Sequence, residues 1–349
     1  MKKVFIMAYL RKNFGDDLFV HMLLEKYKNL EFYIKYDNHD YLDYLNKHEN
    51  LHVLYGKDTD EELYNSDVNE YDAYVYIGGS IFMEGGSSYN LSEKFYDFVK
   101  RCKENNKPFC YISCNYGPYQ TQEYFDLSRK NFAECTDICF RDLYSYNLFS
   151  DIKTVRYAPD FAFSFDTPNV PKQKNSVGIS VIDLGIRNDL KEKENTYINF
   201  LCKNIQNYVA SGNDVYLFSF CEYEGDERAI EKIVNNFPNE SKLHVVKYSG
   251  DIEEFLNIYN QMEYMICARF HAMILSTTAR QKIHVMTYSK KIDRVIADLD
   301  LNLPVLHLNE LDEDYELKLE DFISVDDEKV KKIINDAKLQ DEAIRKYIL

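Results

Sequence analysis

A chain of 349 residues with 45% hydrophobic and 29% charged side chains has the make-up of a soluble globular protein, long enough for two domains rather than one. Its net charge of −16 excludes nucleic acid held through a general basic surface, and an anionic ligand needs a local positive patch. No apolar run nears the ~20 residues of a membrane helix, and the start MKKVFIMAYLRKNFGDD lacks the apolar core of a signal peptide, so the cytoplasm is the expected compartment.

Val4 to Tyr9 reads as a strand. Asn13-Phe14-Gly15-Asp16-Asp17 follows, then an amphipathic pattern from Leu18 to Tyr27. This is strand, glycine turn and helix, the opening of a Rossmann-like unit, but without the GxGxxG of a dinucleotide site. Asp16 and Asp17 lie where a helix N-terminus stabilises carboxylates, while Asn13 and Asp16 are also candidates for hydroxyl contacts. Short strands are expected at Phe32–Tyr36, Leu51–Tyr55 and Ala73–Ile77. The last ends in Gly78-Gly79-Ser80, which either brings backbone N–H groups to a ligand or makes a plain tight turn. Gly85-Gly86-Ser87-Ser88 suggests a loop at the same sheet edge.

Ser92 is the expected cap of a helix to Asn106. Strands follow at Phe109–Ser113, before the turn Cys114-Asn115-Tyr116-Gly117-Pro118, and at Asp137–Phe140, before Arg141-Asp142. For Arg141 and Asp142 the local reading is a structural ion pair or helix cap. Thr154–Tyr157 is the last strand of this half. Ser164–Asn175, with two prolines and little periodicity, reads as a linker, giving domains at 1–165 and 176–325. The alternation restarts with strands at Val177–Val181, Val215–Phe220 and Leu243–Tyr248, each followed by a helical pattern. Asp326–Leu349 reads as one charged, amphipathic C-terminal helix. Cys110, Cys139, Cys221 and Cys267 fall in or beside predicted strands as small buried hydrophobes, no CxxC occurs, and no metal site is expected.

The stretch Glu263–Ala279, EYMICARFHAMILSTTA, carries the chemistry. It reads as a buried strand, Tyr264–Ala268, then Arg269 and His271 at a strand-to-helix junction, then a small apolar helix from Ala272 to Ala279. Ligands of open α/β sheets bind at the carboxyl ends of strands, where a helix N-terminus favours anions. Arg269 and His271 are thus an anion ligand and an acid/base group, or else an ion-paired guanidinium and a core histidine.

In order, Asn13-Phe14-Gly15-Asp16-Asp17, Gly78-Gly79-Ser80, Asn115-Tyr116-Gly117-Pro118, Arg141-Asp142 and Arg269-Phe270-His271 resemble the motifs of the polysaccharide pyruvyl transferase family. The family more usually has Gly-Asp-Glu at Gly15-Asp16-Asp17 and often a third glycine at Ser80. The resemblance implies a GT-B-like α/β architecture of two Rossmann-like domains across a cleft, the last helix crossing back to the first domain. It implies transfer of pyruvate from phosphoenolpyruvate, a co-substrate with no further cofactor, to a sugar of a cell-envelope polysaccharide or its lipid-linked precursor, as a ketal. A lipid-linked acceptor would bring the enzyme transiently to the inner membrane face. Arg269, His271 and Ala272 become the donor side, with His271 as acid/base or phosphate ligand. Asn13, Gly15, Asp16, Gly78, Gly79, Ser80 and Asn115 become the acceptor side. A GT-B glycosyltransferase using a nucleotide sugar and a non-catalytic carbohydrate-binding relative share the same outline.

Overall fold

The computed structural model describes residues 1–36, 47–56, 60–86, 91–168, 170–187, 189–312 and 314–349; Ser87 and Ser88 of the expected loop lie outside them. The chain divides into two compact units. The first comprises Met1–Leu10, Asp16–Phe165 and Ile334–Leu349, the second Arg11–Gly15 and Asp166–Ile333.

In chain order the first unit runs β1 (Lys2–Met7), α1 (Phe14–Lys26, whose first two residues pack with the second unit), β2 (Leu30–Tyr36), β3 (Leu51–Tyr55), α2 (Asp60–Tyr64), β4 (Ala73–Ile77), α3 (Glu93–Glu104), β5 (Phe109–Cys114), α4 (Gln122–Glu134), β6 (Asp137–Phe140), α5 (Leu143–Phe149) and β7 (Val155–Tyr157). Among the described residues these strands form a parallel sheet of order β3-β2-β1-β4-β5-β6-β7. The order reverses between β1 and β4, the crevice where such sheets hold ligands. β4 (AYVYI) is buried at every position, as a central strand covered on both faces must be. One core is largely aromatic, with Tyr74, Phe95, Phe98, Tyr111, Phe132 and Phe149. Ser92 caps α3 by accepting from the Phe95 N–H. α1 departs from the amphipathic expectation: of its thirteen residues only Glu25 and Lys26 are exposed, and even Asp17 in its first turn is fully buried.

The second unit runs β8 (Gln173–Ser180), α6 (Glu194–Ala210), β9 (Asp214–Ser219), α7 (Asp226–Val234), β10 (Leu243–Lys247), α8 (Ile252–Tyr259), β11 (Met262–Cys267), α9 (Phe270–Thr278), β12 (Lys282–Thr287), α10 (Lys290–Asp298), β13 (Val305–His307) and α11 (Asp327–Ala337), whose last turn belongs to the first unit. Its parallel sheet has the order β10-β9-β8-β11-β12-β13, reversing between β8 and β11.

The C-terminal stretch is not one helix over Asp326–Leu349. α11 stops at Ala337, and a π-helical turn follows at Ile344–Ile348. The break turns Gln340 and Asp341 inward, where both are fully buried in the first unit. Gln340 Oε1 accepts from the Ser113 N–H at 2.9 Å, and its Nε2 donates to the Ala158 carbonyl at 2.6 Å, joining the ends of β5 and β7. Asp341 accepts from the Tyr27 hydroxyl at 2.7 Å and pairs with Lys26 at 2.5 Å. A continuous helix would satisfy neither strand end, so these buried polar groups decide the geometry. Gln340→Ala leaves a buried donor and acceptor unmet and should cost ~1–3 kcal/mol in urea unfolding, whereas exposed Lys338→Ala should stay within about 0.5 kcal/mol of wild type. Equal losses would contradict this role.

Candidate functional site

The expected helix at Ala272–Ala279 begins earlier, at Phe270, with Arg269 as its extended N-cap residue (φ −91°, ψ 141°). His271 and Ala272 therefore both lie in the first turn of α9. The Ala272 carbonyl accepts from the Tyr259 hydroxyl at 2.8 Å, and the residue is fully buried. Ser180, at the end of β8, receives the backbone N–H groups of Ala268 (2.8 Å) and Arg269 (3.1 Å) on one hydroxyl. One serine thus fastens the two strands on either side of the topological switch.

Arg269 is buried and held by two carboxylates. Asp226 takes it in a fork, Nε to Oδ2 at 3.1 Å and Nη2 to Oδ1, while Glu224 accepts from Nη1. Burial works against the guanidinium charge, but Asp226 and Glu224 override it. The same two carboxylates differ from each other. Burial pushes Asp226 above the usual carboxylate range despite Arg269. Burial also pushes Glu224 up, but Arg269, Arg187 and Lys291 bring it below that range.

Arg187, on the loop after β8, comes within 3.5 Å of Glu224 with its Nη2 and stacks its guanidinium carbon 4.2 Å over the Tyr288 ring. Tyr288 lies just past β12, and Lys291 in the first turn of α10 lies 5.8 Å from the Phe270 ring. Burial pushes the Tyr288 hydroxyl up, yet Lys291, Arg187 and Arg269 together bring it below the ordinary phenol value. That is the mark of a locally positive region at the carboxyl ends of β8, β11 and β12.

Two acceptor-side candidates sit in this second unit. Asn13 Nδ2 donates to Glu224 Oε1 at 3.2 Å, and Asn13 Oδ1 accepts from the Gly15 N–H at 3.1 Å. The cap of α1 is thus Asn13, and Asp16 and Asp17 occupy the first turn behind it. A Cβ on Gly15 would stand 1.8 Å from Nδ1 of His271, so the absence of a side chain there makes room for the imidazole.

The remaining candidates gather in the first unit at the ends of β4 to β7. Asn115 Oδ1 accepts from Arg141 Nε (3.1 Å) and Nη2 (2.5 Å), and Ser80 Oγ lies 3.4 Å from the same oxygen. Asp160 completes the pairing of buried Arg141 at 2.8 Å. Gly79 lies flat on this guanidinium, where a Cβ would come within 2.4 Å of it. Gly78 takes φ +152°, a backbone region that side chains disfavour. The ideal Cβ direction at Gly78 points to within 3.9 Å of Asp16 Oδ1. Asp142 is the cap of α5, accepting from the Ser145 N–H at 2.8 Å.

Asp160, Ser180, Arg187, Glu224, Asp226, Tyr288 and Lys291 went unread in the sequence. Glu224 and Asp226 fall between the expected strand Val215–Phe220 and the helical pattern after it, where sequence alone gives them no partner, although a buried arginine requires a carboxylate somewhere. The described residues contain no group of three or more His, Cys, Asp or Glu side chains placed to hold a metal ion, and no helix among them is long and apolar enough to cross a membrane.

The two glycines give a paired prediction. Gly15→Ala displaces only an imidazole ring and adds helix propensity of about 1 kcal/mol, so stability should stay near wild type while the His271 ring resonances move in NMR spectra. Gly79→Ala forces Arg141 off Asp160 and Asn115 and should cost about 3–5 kcal/mol by chemical denaturation. Equal stability of the two variants would refute the reading.

The sequence profile of the polysaccharide pyruvyl transferase family matches residues 7–290. Solved structures of similar fold include a protein assigned as a UDP-N-acetylglucosamine 2-epimerase from Listeria monocytogenes (TM-score 0.60, 12% identity, covering 99% of this chain and 96% of that one). A UDP-GlcNAc 2-epimerase from Neisseria meningitidis, bound to UDP-GlcNAc, aligns with TM-score 0.57 and 9% identity over 99% of both chains. Acinetobacter baumannii MurG aligns with TM-score 0.52 and 12% identity, over 99% of this chain and all of that one. At such identities the likeness concerns the fold, two Rossmann-like domains of GT-B type.

Proposed function

The chain belongs to the polysaccharide pyruvyl transferase family, and on that premise we propose that it moves pyruvate from phosphoenolpyruvate to a sugar of a surface polysaccharide or its lipid-linked precursor, closing a ketal across two hydroxyls. The observation that supports the donor half is the gathering of Arg187, Arg269 and Lys291 about Tyr288, at the carboxyl ends of β8, β11 and β12, in a chain with net charge −16. Phosphoenolpyruvate carries a carboxylate and a phosphate on a three-carbon enol, and guanidinium groups suit both. Asp226 holds Nε and Nη2 of Arg269 and so fixes the strand end and the start of α9. The Nη1 side of Arg269, with Arg187 and Lys291, presents charge to the ligand.

The chemistry then needs two hydroxyl protons removed, one delivered to C3 and the other lost with phosphate or to solvent. An acceptor hydroxyl gives up its proton as its oxygen bonds to C2 of the enol while C3 gains a proton, giving a tetrahedral ketal phosphate. The C–O bond to phosphate breaks, and a second sugar hydroxyl closes the ring, its proton leaving with phosphate or solvent. His271, one residue into α9 and partly exposed, is the group for the proton at C3; acid/base help of this kind is typically worth ~10²–10⁴ in rate. Gly78, Gly79, Ser80, Asn115 and Asp16 form the acceptor set of the first unit. A nucleotide-sugar transferase shares this fold, so the reaction itself must decide.

Phosphate release from phosphoenolpyruvate, measured with lipid-linked and free oligosaccharide acceptors, tests the proposal. His271→Ala should lower it by ~10²–10⁴ with an unchanged melting temperature. Wild-type turnover in that variant removes His271 from the mechanism.

A further inference from the structure

The two carboxylates on Arg269 are not equivalent, and the difference assigns a role to Glu224. Asp226 opens α7, is fully buried, and receives the backbone N–H groups of Phe220 and Cys221, each at 3.0 Å, besides the Arg269 fork. Every part of it is spoken for; it is a permanent counter-ion. Glu224 stands on the loop between β9 and α7, with 27% of its side chain exposed. Its neighbours point outward, Tyr223 being 70% exposed and the Glu222 side chain 58%.

Three groups from three separate segments converge on the Glu224 carboxylate. Asn13 Nδ2 (3.2 Å) and Arg269 Nη1 donate hydrogen bonds to it, and Arg187 Nη2 stands 3.5 Å away as an ion pair without a hydrogen bond. The last two approach the same oxygen, Oε2. Two guanidinium groups meeting on one oxygen, with an amide on its twin, is how proteins hold a small carboxylate or phosphate ligand. The loops that carry these groups are fixed. Asp183 accepts from the Gly185 N–H at 2.7 Å and pairs with Arg228 at 2.9 Å. Gly225, at φ +83°, lies so close that a Cβ would stand 2.5 Å from Asp183 Oδ2. The backbone is thus held on both sides, and only the Glu224 side chain, 27% exposed, is left to swing away from Arg187 and Arg269.

We propose that Glu224 is a built-in competitor of the substrate anion: its carboxylate and the donor's carboxylate or phosphate contend for the same position between Arg187 and Arg269. This rests on the pyruvyl-transfer reading for the identity of the donor. The competition sets how strongly the site takes anions. A ligand must bring more charge, or a better fork geometry, than one side-chain carboxylate to displace it. Neutral sugars and weak monoanions are refused by the same contact, while a molecule carrying both carboxylate and phosphate passes.

The test compares the wild-type chain with Glu224→Gln, which keeps the shape and one acceptor oxygen but removes the charge. Calorimetric titration with inorganic phosphate and with phosphoenolpyruvate should show tighter binding in the variant by about tenfold or more, the effect of one neighbouring unit charge on an ionic equilibrium. A purely structural Glu224 predicts weaker or unchanged binding, and either result overturns the proposal, as does a lack of anion binding in both proteins. A crystal structure of the wild-type chain with phosphoenolpyruvate gives an independent readout: Glu224 should be off Arg269, and finding it still bonded there beside the ligand overturns the proposal without any variant. The pyruvyl-transfer reading fails separately, when wild type releases no phosphate from phosphoenolpyruvate although the tighter anion binding of the variant persists.

Discussion

A guanidinium buried at the end of a central strand must be neutralised where it stands, and the second unit is built around that requirement. Arg269 is placed there by β11, the strand beside the topological switch. Its counter-ion Asp226 comes from the start of α7, and the same carboxylate ties down the backbone at Phe220 and Cys221. Removing either partner would leave an uncompensated buried charge, an error of several kcal/mol. Holding Arg269 therefore also fixes the loop after β9 and the first turn of α9, and with it His271.

The first unit meets a comparable constraint in another way. Arg141 ends β6, and Asp160 and Asn115 neutralise and orient it from the ends of β7 and β5. Gly79 gives it room. Both units thus gather arginine, amide and carboxylate groups at the carboxyl ends of their strands, as open α/β sheets do where they bind ligands. About Tyr288 three cations, Arg187, Arg269 and Lys291, stand against two carboxylates, Glu224 and Asp226. That excess, in an acidic chain, is what an anionic donor would meet.

Much of this was legible in the sequence, for definite reasons. Buried parallel strands such as AYVYI and YMIC declare themselves as short apolar runs between glycine turns, and Ser92 before a helical pattern is a plain cap. Arg269 and His271 stood out because charged groups seldom follow a buried strand directly. What escaped was set by contacts between distant parts of the chain. Arg187 lies in a loop without periodicity, and it matters only because the fold brings it onto Tyr288, about a hundred residues later. Asn13 and Gly15 follow the first strand and so read as part of the first unit; the structure groups them with Glu224 and His271 instead. The C-terminal helix was misread as continuous because periodicity does not reveal that Gln340 must turn inward to close off two strand ends.

The central claim is that the carboxyl ends of β8, β11 and β12 in the second unit take an acidic three-carbon donor. Thermal unfolding of the full chain, alone, with phosphoenolpyruvate and with UDP-N-acetylglucosamine, addresses it most directly. A ligand at ~100 times its dissociation constant stabilises the folded state by roughly 2.7 kcal/mol, enough to move the transition visibly. The account predicts a shift with phosphoenolpyruvate that Arg187→Ala abolishes. A shift with the nucleotide sugar alone would contradict it and assign the site to glycosyl chemistry.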